Sequence, residues 1–198
     1  MLSGVILAGG ENRRMGGRHK ALLPIGGEKL VQRQIRLMAP VCPEIIVVTN
    51  DPELFAPHVG RSVKIVADHF PGKGPLAGMH AALSDAGNEH AWVVGCDMPF
   101  LSSDAARHML DKLQRMELDA VIPRLDGRLH PLHGVYRSAC VKQIAELLAD
   151  DTYRVMELFG KIRWEPLHDG EITGIDLRFA VNANTPEEWA EVLRMEGG

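Results

Sequence analysis

The residues best suited to bind a phosphate group lie in one short stretch near the start of the chain. Val5–Ala8 is an apolar run typical of a buried strand, and Gly9 and Gly10 end it. Glycines let backbone N–H groups approach phosphate oxygens, because no Cβ atom stands in the way. The positive charges that would oppose a phosphate come next: Arg13, Arg14, Arg18 and Lys20. The pattern predicts an anion-binding loop, and the alternative is an ordinary strand-to-helix turn with a solvated basic face.

Two well-known phosphate loops do not match this stretch. A Walker A loop has Ser or Thr after its lysine, whereas Ala21 follows Lys20, so the hydroxyl that binds magnesium is missing. A dinucleotide-binding loop has G-x-G-x-x-G directly after the strand, whereas residues 11–15 separate Gly9-Gly10 from the next glycine pair. The loop therefore belongs to another class of phosphate site.

Two carboxylates follow predicted strands. Asp68 follows Val63–Ala67, and Asp97 follows the apolar run Ala91–Cys96. Open α/β sheets bind their ligands at the carboxyl ends of the strands, so both residues are candidates for a site. Asp97 could instead cap the next helix, but a Ser-Ser pair ahead of that helix is available for capping. Because Mg²⁺ is usually held by carboxylates and substrate phosphates, Asp97 is predicted to bind Mg²⁺.

Gly78 lies inside a predicted helix, Leu76–Leu83. Glycine in a helix interior costs about 1 kcal/mol relative to alanine, so the first turn of this helix should press against a ligand or a neighbouring strand. The loop glycines Gly72 and Gly74 just before it favour the ligand.

The histidines are weaker candidates. His130 and His133 are the one pair at metal-ligand spacing, but no cysteine or acidic cluster accompanies them, and we do not expect a zinc site. His130 stands beside Pro131 at a predicted turn, where it is better suited to hydrogen-bond a second substrate.

The elements that position these residues alternate along the first half of the chain, which predicts a parallel sheet. Predicted buried strands lie at 5–8, 45–49, 63–67 and 91–96, and predicted helices at 30–38, 76–83 and 104–116. The second half is less regular: strands are predicted at 119–123, 130–136 and 162–167, with a hairpin at Asp126-Gly127 and helices at 139–149 and 152–159. Thr185-Pro186 begins a last helix. We therefore expect an α/β protein with a mostly parallel, partly mixed sheet.

The composition is ordinary for a folded globular protein. The chain has 198 residues, 45% hydrophobic and 24% charged, which fits one α/β domain. A net charge of −4 argues against a nucleic-acid-binding protein, since those normally carry a basic excess. No apolar run approaches the length of a membrane span, and no signal peptide is predicted.

The three cysteines are odd in number and widely spaced: Cys42, Cys96 and Cys140. They are typical of buried or free thiols in a reducing compartment, so we expect a cytoplasmic protein.

Six segments together resemble one enzyme family. Leu7 to Lys20 follows the signature L-A-G-G-x-x-x-R-M-G-x-x-x-K of the small nucleotidyltransferases, and its double glycine is similar to that of the molybdenum cofactor guanylyltransferases. The other segments are GPLAGM (74–79), CDMPFL (96–101), DGRLHPL (126–132), YRVMELF (153–159) and VNANTPEE (181–188). The resemblance implies a three-layer Rossmann-like fold and magnesium-dependent transfer of GMP from GTP to the terminal phosphate of molybdopterin.

The resemblance also implies roles for individual residues. The implied nucleotide-binding residues are Leu7, Ala8, Gly9, Lys20, Asp68 and Asp97, and Gly10, Asn50 and Gly78 are further candidates for this role. Arg14, Lys20 and Asp97 would be catalytic, and Asp97 would hold the metal. His130 and Asn182 would contact molybdopterin. Asn12 and His19 depart from the residues frequent in the family at these positions.

The same resemblance predicts one domain over 1–198, with residues 1–100 binding GTP and residues 101–198 binding molybdopterin. It implies transient contacts with other cofactor-biosynthesis proteins and apo-molybdoenzymes. Two other functions remain open at this point. One is a nucleotidyltransferase acting on a cytidylyl, sugar-phosphate or isoprenoid substrate, and the other is a nucleotide-binding regulator.

Overall fold

The fold is built on one mixed β-sheet that crosses both halves of the chain. The computed structural model describes residues 1–9, 19–70 and 72–197. The strands in these residues are β1 (Leu2–Leu7), β2 (Pro24–Ile25), β3 (Glu28–Lys29), β4 (Glu44–Val48), β5 (Val63–Val66), β6 (His90–Gly95), β7 (Ala120–Leu125), β8 (Arg128–Leu129), β9 (His133–Arg137) and β10 (Trp164–His168). The main sheet has the order β10-β7-β9-β6-β1-β4-β5, with β8 beside β7, and β2 pairs with β3 in a separate small hairpin.

Helices connect the strands. They are α1 (Leu30–Met38), α2 (Pro52–Phe55), α3 (Pro75–Asp85), α4 (Ser103–Arg115), α5 (Val141–Ala149), α6 (Val155–Leu158) and α7 (Pro186–Glu196). Short 3₁₀ helices occur at Lys20–Leu22, Ser138–Cys140, Asp169–Glu171 and Leu177–Ala180.

Strand direction divides the sheet into two parts. Strands β5, β4, β1 and β6 are parallel to one another. Strand β9 runs antiparallel between β6 and β7, and β10 pairs in parallel with β7 at the far edge. From β1 the chain first builds outward through β4 and β5, and then β6 pairs with the other side of β1. This change of direction leaves a crevice at the carboxyl ends of β1 and β6.

Alternate residues of the central strands face two hydrophobic layers, which places helices on both faces of the sheet. In β1, Ile6 faces the layer that holds α1 and α4, whereas Val5 and Leu7 face the layer that holds α3, α5 and α6. A smaller cluster joins α7 to the β2–β3 hairpin and the start of α1. The buried Arg33 side chain of α1 also pairs with Glu196 at the end of α7.

Most predicted elements are present with shifted ends, and two details differ from the prediction. Residues 24–29 form a small hairpin that was not among the predicted elements. Strand β9 begins at His133 instead of His130, because the His133 amide donates to the His130 carbonyl and so closes a turn. The hairpin at Asp126-Gly127 is confirmed, and both residues have the positive φ angles that this turn requires.

Candidate active site

The crevice between β1 and β6 is held together by backbone hydrogen bonds. The Cys96 amide donates to the Leu7 carbonyl at 3.2 Å, and the Ala8 amide donates to the Val48 carbonyl at 2.8 Å. These bonds fix the backbone at the end of β1, just before the glycine pair in the sequence, and at the end of β6, just before Asp97. The predicted nucleotide-binding residues Leu7 and Ala8 therefore lie beside the predicted metal ligand.

Asp97 and Lys20 meet in this crevice. Their side chains approach to 3.9 Å between Nζ and Oδ2, and the exposed fractions are 17% for Lys20 and 21% for Asp97. Burial raises the pKa of the Asp97 carboxyl above its usual range, and the charge of Lys20 opposes that rise. A carboxylate of this kind is poorly solvated, so a bound cation would stabilise it.

The segment that precedes α7 closes over these two residues. The Ala183 amide donates to the Asp97 carbonyl at 2.9 Å, and Lys20 Nζ donates to Asn184 Oδ1 at 2.7 Å. Asn184 is a candidate that the sequence analysis missed, although it lies in the same N-A-N-T-P motif as Asn182. The Asn182 side chain is exposed next to this contact, where a second substrate could reach it.

A capping box orients Asn184. The Glu188 carboxylate accepts from the amides of Asn184 and Thr185, and the Thr185 hydroxyl accepts from the Glu188 amide. The predicted start of the last helix is thereby confirmed. Its cap has a second effect, because it holds the backbone from which Asn184 reaches Lys20.

The segment that contains His130 lies against the same strand end. The Gly95 amide donates to the Leu132 carbonyl at 3.0 Å, and the His130 amide donates to the Pro123 carbonyl at 2.9 Å. His130 is half-buried, and burial is the main reason that its pKa lies below the usual range of histidine. A neutral imidazole can both donate and accept a hydrogen bond, which suits contact with a polar substrate.

His133 occupies a different environment from His130. Its ring is fully buried, with ring centroids 5.5 Å from Trp92 and 4.9 Å from Phe179. Neither ring nitrogen has a hydrogen-bond partner among the described residues, and burial lowers the pKa to about 3. His133 is therefore a neutral core residue.

A cavity of about 180 Å³ opens beside the residues that follow β1 and β4. Its lining residues are Ala8, Gly9, His19, Thr49, Asn50, Asp51 and Gly72. His19 Nε2 lies 3.3 Å from Asp51 Oδ2 at this cavity. The cavity brings the predicted residues Gly9 and Asn50 together, and its wall of backbone and small polar groups suits a nucleoside.

Asp68 does not lie beside Asp97. It follows β5, three strands from β6, which corresponds to roughly 14 Å at the usual spacing of strands. Its Oδ1 atom accepts from the Phe70 amide at 2.8 Å and so closes a turn. Asp68 shares the carboxyl edge of the sheet with Asp97, but its contact with a nucleotide stays a prediction.

Gly78 packs against the strands. A Cβ atom built at this position would lie 3.2 Å from Leu7 Cδ2 and 3.7 Å from Val48 Cγ1. Close packing of α3 on the sheet, the alternative to ligand contact, is therefore sufficient to explain the glycine. A role for Gly78 in nucleotide binding stays a prediction.

Gly10 and Arg14 lie outside the described residues. Within 1–9, 19–70 and 72–197, no group of three or more His, Cys, Asp or Glu side chains could hold a metal ion. Mg²⁺ is commonly bound by only one or two protein carboxylates, with phosphate oxygens and water completing its shell. The single carboxylate of Asp97 in the crevice fits that donor set.

Two further sequence expectations can be compared with the described residues. Cys42, Cys96 and Cys140 are free thiols, as expected. No helix in the described part of the chain is long and apolar enough to cross a membrane.

Comparison with known proteins identifies the family. Residues 4–163 match the family model of the MobA-like NTP transferase domain. The chain belongs to this family. MobA-like proteins are nucleotidyltransferases, which confirms the class of enzyme expected from the glycine loop and the segments that follow it.

Two relatives in the MobA-like family are similar over nearly the whole chain. The probable molybdenum cofactor guanylyltransferase of Pelotomaculum thermopropionicum is 35% identical, over 94% of this chain and 89% of that protein. The molybdenum cofactor guanylyltransferase of Desulfosudis oleivorans is 30% identical, over 94% of this chain and 92% of that protein. The resemblance inferred from the six sequence segments is confirmed.

A solved structure supports the fold. The crystal structure of molybdopterin-guanine dinucleotide biosynthesis protein A from Archaeoglobus fulgidus matches with a TM-score of 0.84 at 22% identity, and the match covers 98% of each chain. The predicted three-layer α/β fold with a mixed sheet is confirmed.

Proposed function

We propose that this protein transfers GMP from GTP to the terminal phosphate of molybdopterin and releases pyrophosphate. The observation that carries this proposal is the approach of Lys20 to Asp97, 3.9 Å apart in the crevice between β1 and β6. A cation and a carboxylate at the end of a nucleotide-binding strand are the groups that a phosphate-transfer site needs. The names of the Pelotomaculum and Desulfosudis relatives support the guanine base and the molybdenum cofactor as substrates.

In the proposed reaction, an oxygen of the acceptor phosphate attacks the α-phosphorus of GTP. The bond from that phosphorus to the pyrophosphate oxygen breaks, and its electron pair leaves with pyrophosphate. The acceptor phosphate is already an anion at neutral pH, so the protein needs no strong general base. Its contribution is to position the two substrates and to neutralise charge.

Lys20 would neutralise the charge that develops on the departing pyrophosphate. Its ammonium group is held by Asn184 at 2.7 Å and by the nearby Asp97 carboxylate, so its position is fixed before the substrate binds. Arg14 would assist it from the glycine loop. A fixed cation costs no reorganisation during the reaction, which is the advantage of a preorganised site.

Asp97 would hold Mg²⁺. The ion, when bound, would withdraw charge from the phosphate oxygens around the reacting phosphorus. Burial disfavours the charged form of the Asp97 carboxylate when no cation is close. The backbone carbonyl of Asp97 is held by the Ala183 amide.

The two substrates would enter from opposite sides of Asp97. GTP would place its nucleoside in the cavity lined by Gly9 and Asn50. Molybdopterin would contact His130 and Asn182, which come from the second half of the chain. This arrangement would put the acceptor phosphate and the α-phosphate of GTP together at the crevice.

The test is a comparison of substrates. The purified protein is incubated with molybdopterin, Mg²⁺ and each of the four nucleoside triphosphates, and pyrophosphate release is measured. We expect release with GTP to exceed release with the other three, and to require molybdopterin. Equal use of CTP or ATP would contradict the guanylyltransferase proposal and favour another nucleotidyltransferase. Binding of GTP with no pyrophosphate release would favour a nucleotide-binding regulator.

We also expect this reaction to take place in the cytoplasm, since free thiols are typical of a reducing compartment. The product would then pass to an apo-molybdoenzyme through transient contacts.

A further inference from the structure

Gln34 is a polar residue on the buried face of helix α1. Its side chain is fully buried, and its neighbours on that face are Leu30, Val31 and Met38, which are also fully buried. Its Nε2 atom donates to the Gly95 carbonyl at 2.8 Å and to the Met98 carbonyl at 3.0 Å. One amide group therefore uses both of its N–H bonds on the segment that carries Asp97.

The two carbonyls lie on either side of Asp97 in the sequence. Gly95 ends strand β6, and Met98 is the residue after Asp97. The carbonyl of Asp97 is held separately by the Ala183 amide. Gln34 thus fixes the backbone before and after the carboxylate, and the Asp97 side chain remains directed toward Lys20.

The position of Gly95 also sets the position of the carboxylate. A Cβ atom built on Gly95 would lie only 2.6 Å from Asp97 Oδ1, so the carboxylate rests almost against the Gly95 backbone. A small displacement of Gly95 would therefore displace the carboxylate as well. Gln34 controls that backbone directly through its bond to the Gly95 carbonyl.

Packing alone does not explain a glutamine at this position. Its Oε1 atom is buried and has no hydrogen-bond partner among the described residues, which costs stability. An apolar side chain would avoid this cost, but it would leave two buried carbonyls without a donor. The glutamine is therefore better explained by the two backbone carbonyls, of Gly95 and Met98, to which its amide group donates.

We propose that Gln34 is a positioning residue for Asp97, which it holds at the distance from Lys20 that the metal-bound reaction requires. The inference rests on the proposed function, in which Asp97 binds Mg²⁺. Gln34 is not proposed to contact the substrate. Its substitution should therefore weaken metal binding by Asp97 and lower kcat, and should leave the nucleoside cavity intact.

The test uses Gln34→Met, which keeps the length of the side chain and removes both N–H donors. Val31→Ala is the matched control, because it also perturbs the buried face of α1 but removes no hydrogen bond to the Asp97 segment. For each variant we would measure thermal unfolding, kcat, KM for GTP and the Mg²⁺ concentration at half-maximal rate. Binding of Mn²⁺ in the presence of an unreactive GTP analogue, followed by electron paramagnetic resonance, gives a readout that is independent of turnover.

We expect Gln34→Met to weaken Mn²⁺ binding and to lower kcat by about 10- to 100-fold, the range found when groups that orient metal ligands are removed. KM for GTP should change less than kcat. Val31→Ala should lose stability with little change in Mn²⁺ binding. If Gln34→Met does not fold, Gln34→Asn, which retains the amide on a shorter side chain, should show the same effect to a smaller degree.

Asp97→Asn separates the two proposals. If Asp97→Asn loses Mn²⁺ binding while Gln34→Met keeps wild-type binding and kcat, the positioning inference is wrong and the proposed role of Asp97 stands. If Asp97→Asn itself keeps wild-type Mn²⁺ binding and activity, the proposed metal site is wrong, and the inference about Gln34 falls with it.

Discussion

The ammonium group of Lys20 donates a hydrogen bond of 2.7 Å to the side-chain oxygen of Asn184, 164 positions later in the chain. Lys20 follows the glycine loop, and Asn184 directly precedes the N-cap of helix α7. The cation proposed to face the leaving pyrophosphate is thus oriented by the opposite end of the sequence.

Removal of the cation should affect turnover more than folding. We expect Lys20→Ala to lower kcat by about 100- to 1,000-fold, the effect of removing one preorganised group that stabilises charge in a transition state. The variant should still fold but with a lower unfolding temperature, because the Lys20 side chain is only 17% exposed and its removal leaves the Asp97 carboxylate without its neighbouring cation. Pyrophosphate release and thermal unfolding measure the two effects, and wild-type release from a folded variant would exclude this role.

Asn184 should act through Lys20. Asn184→Ala removes an acceptor from a charged donor, a bond worth about 1.5–3 kcal/mol, and we expect a loss of about tenfold or more in kcat. Asn184→Asp keeps an acceptor oxygen in the same place and should retain more activity than the alanine variant. Equal activity of the wild type and Asn184→Ala would contradict this role.

Loss of the Asp97 charge should remove activity without loss of stability. Burial raises the pKa of this carboxyl, so its ionised form makes the folded state less stable at neutral pH. Asp97→Asn keeps the shape and removes the charge. In metal-free protein we expect an unfolding temperature equal to or above that of the wild type, together with loss of Mg²⁺-dependent pyrophosphate release. A marked fall in unfolding temperature would show that the Lys20 contact outweighs the cost of burial.

His130 and Asn182 should affect the second substrate. Both belong to segments of the second half of the chain that hydrogen-bond to the segment carrying Asp97. Neither residue lines the cavity that contains Asn50. Alanine at either position should raise KM for molybdopterin more than KM for GTP. Equal loss of affinity for GTP, measured by direct binding, would show that these residues lie on the nucleotide side.

His133 should make the protein sensitive to mild acid. Its pKa is about 3 in the folded state and near 6.5 in an unfolded chain. Above pH 6.5 neither state is protonated, but between pH 6.5 and 3 only the unfolded state binds a proton, so stability falls as the pH falls. The slope from one such group is at most about 1.4 kcal/mol per pH unit.

The measurement for His133 is denaturant unfolding across this pH range. His133→Leu should reduce the dependence of unfolding free energy on pH, whereas His108→Leu, at an exposed position of α4, serves as the control. An unchanged slope in His133→Leu would assign the acid sensitivity to other groups, such as His90, whose pKa is also lowered by burial.

Gly9 should influence which base is used. No described residue has an atom within 4 Å of a Cβ built at Gly9, so Gly9→Ala should fold normally. Gly9 lines the cavity proposed for the nucleoside, and one methyl group in a specificity pocket is worth about 1–3 kcal/mol. We expect the preference for GTP over CTP to fall by about 10- to 200-fold without reversing. An unchanged ratio of kcat/KM values would place the base away from Gly9.

The parts of the fold that sequence reasoning predicted are those with strong local patterns. The buried parallel strands are continuous apolar runs, and the last helix carries its own capping box. The β2–β3 hairpin has only two residues in each strand, and it depends on distant contacts with Trp189 and Val192 of α7. Gly26-Gly27, both with positive φ angles, is a local signal for this turn, but strands of two residues are too short to show an alternating pattern.

In the candidate site too, residues marked by a local sequence pattern were predicted, and residues defined by distant contacts were not. Asp97 was predicted because a strand visibly ends at it. Asn184 was missed because an irregular segment has no periodicity to tell which of its two asparagines faces the lysine. Gln34 had a visible signal, a polar residue in the middle of the apolar face of α1, but the sequence alone did not give the carbonyls that it would meet.

The bond between Lys20 and Asn184 also bears on the order in which the protein acquires its activity. Contacts between residues far apart in sequence require closure of long loops, and they form slowly compared with local helices and hairpins. If β1, β4, β5 and β6 have paired but α7 has not docked, Lys20 lacks its bond to Asn184 and Asp97 lacks the bond from Ala183. Such a chain would have four of the eight strands of its main sheet but an incomplete phosphate site, so we expect activity to appear only after the last helix has docked.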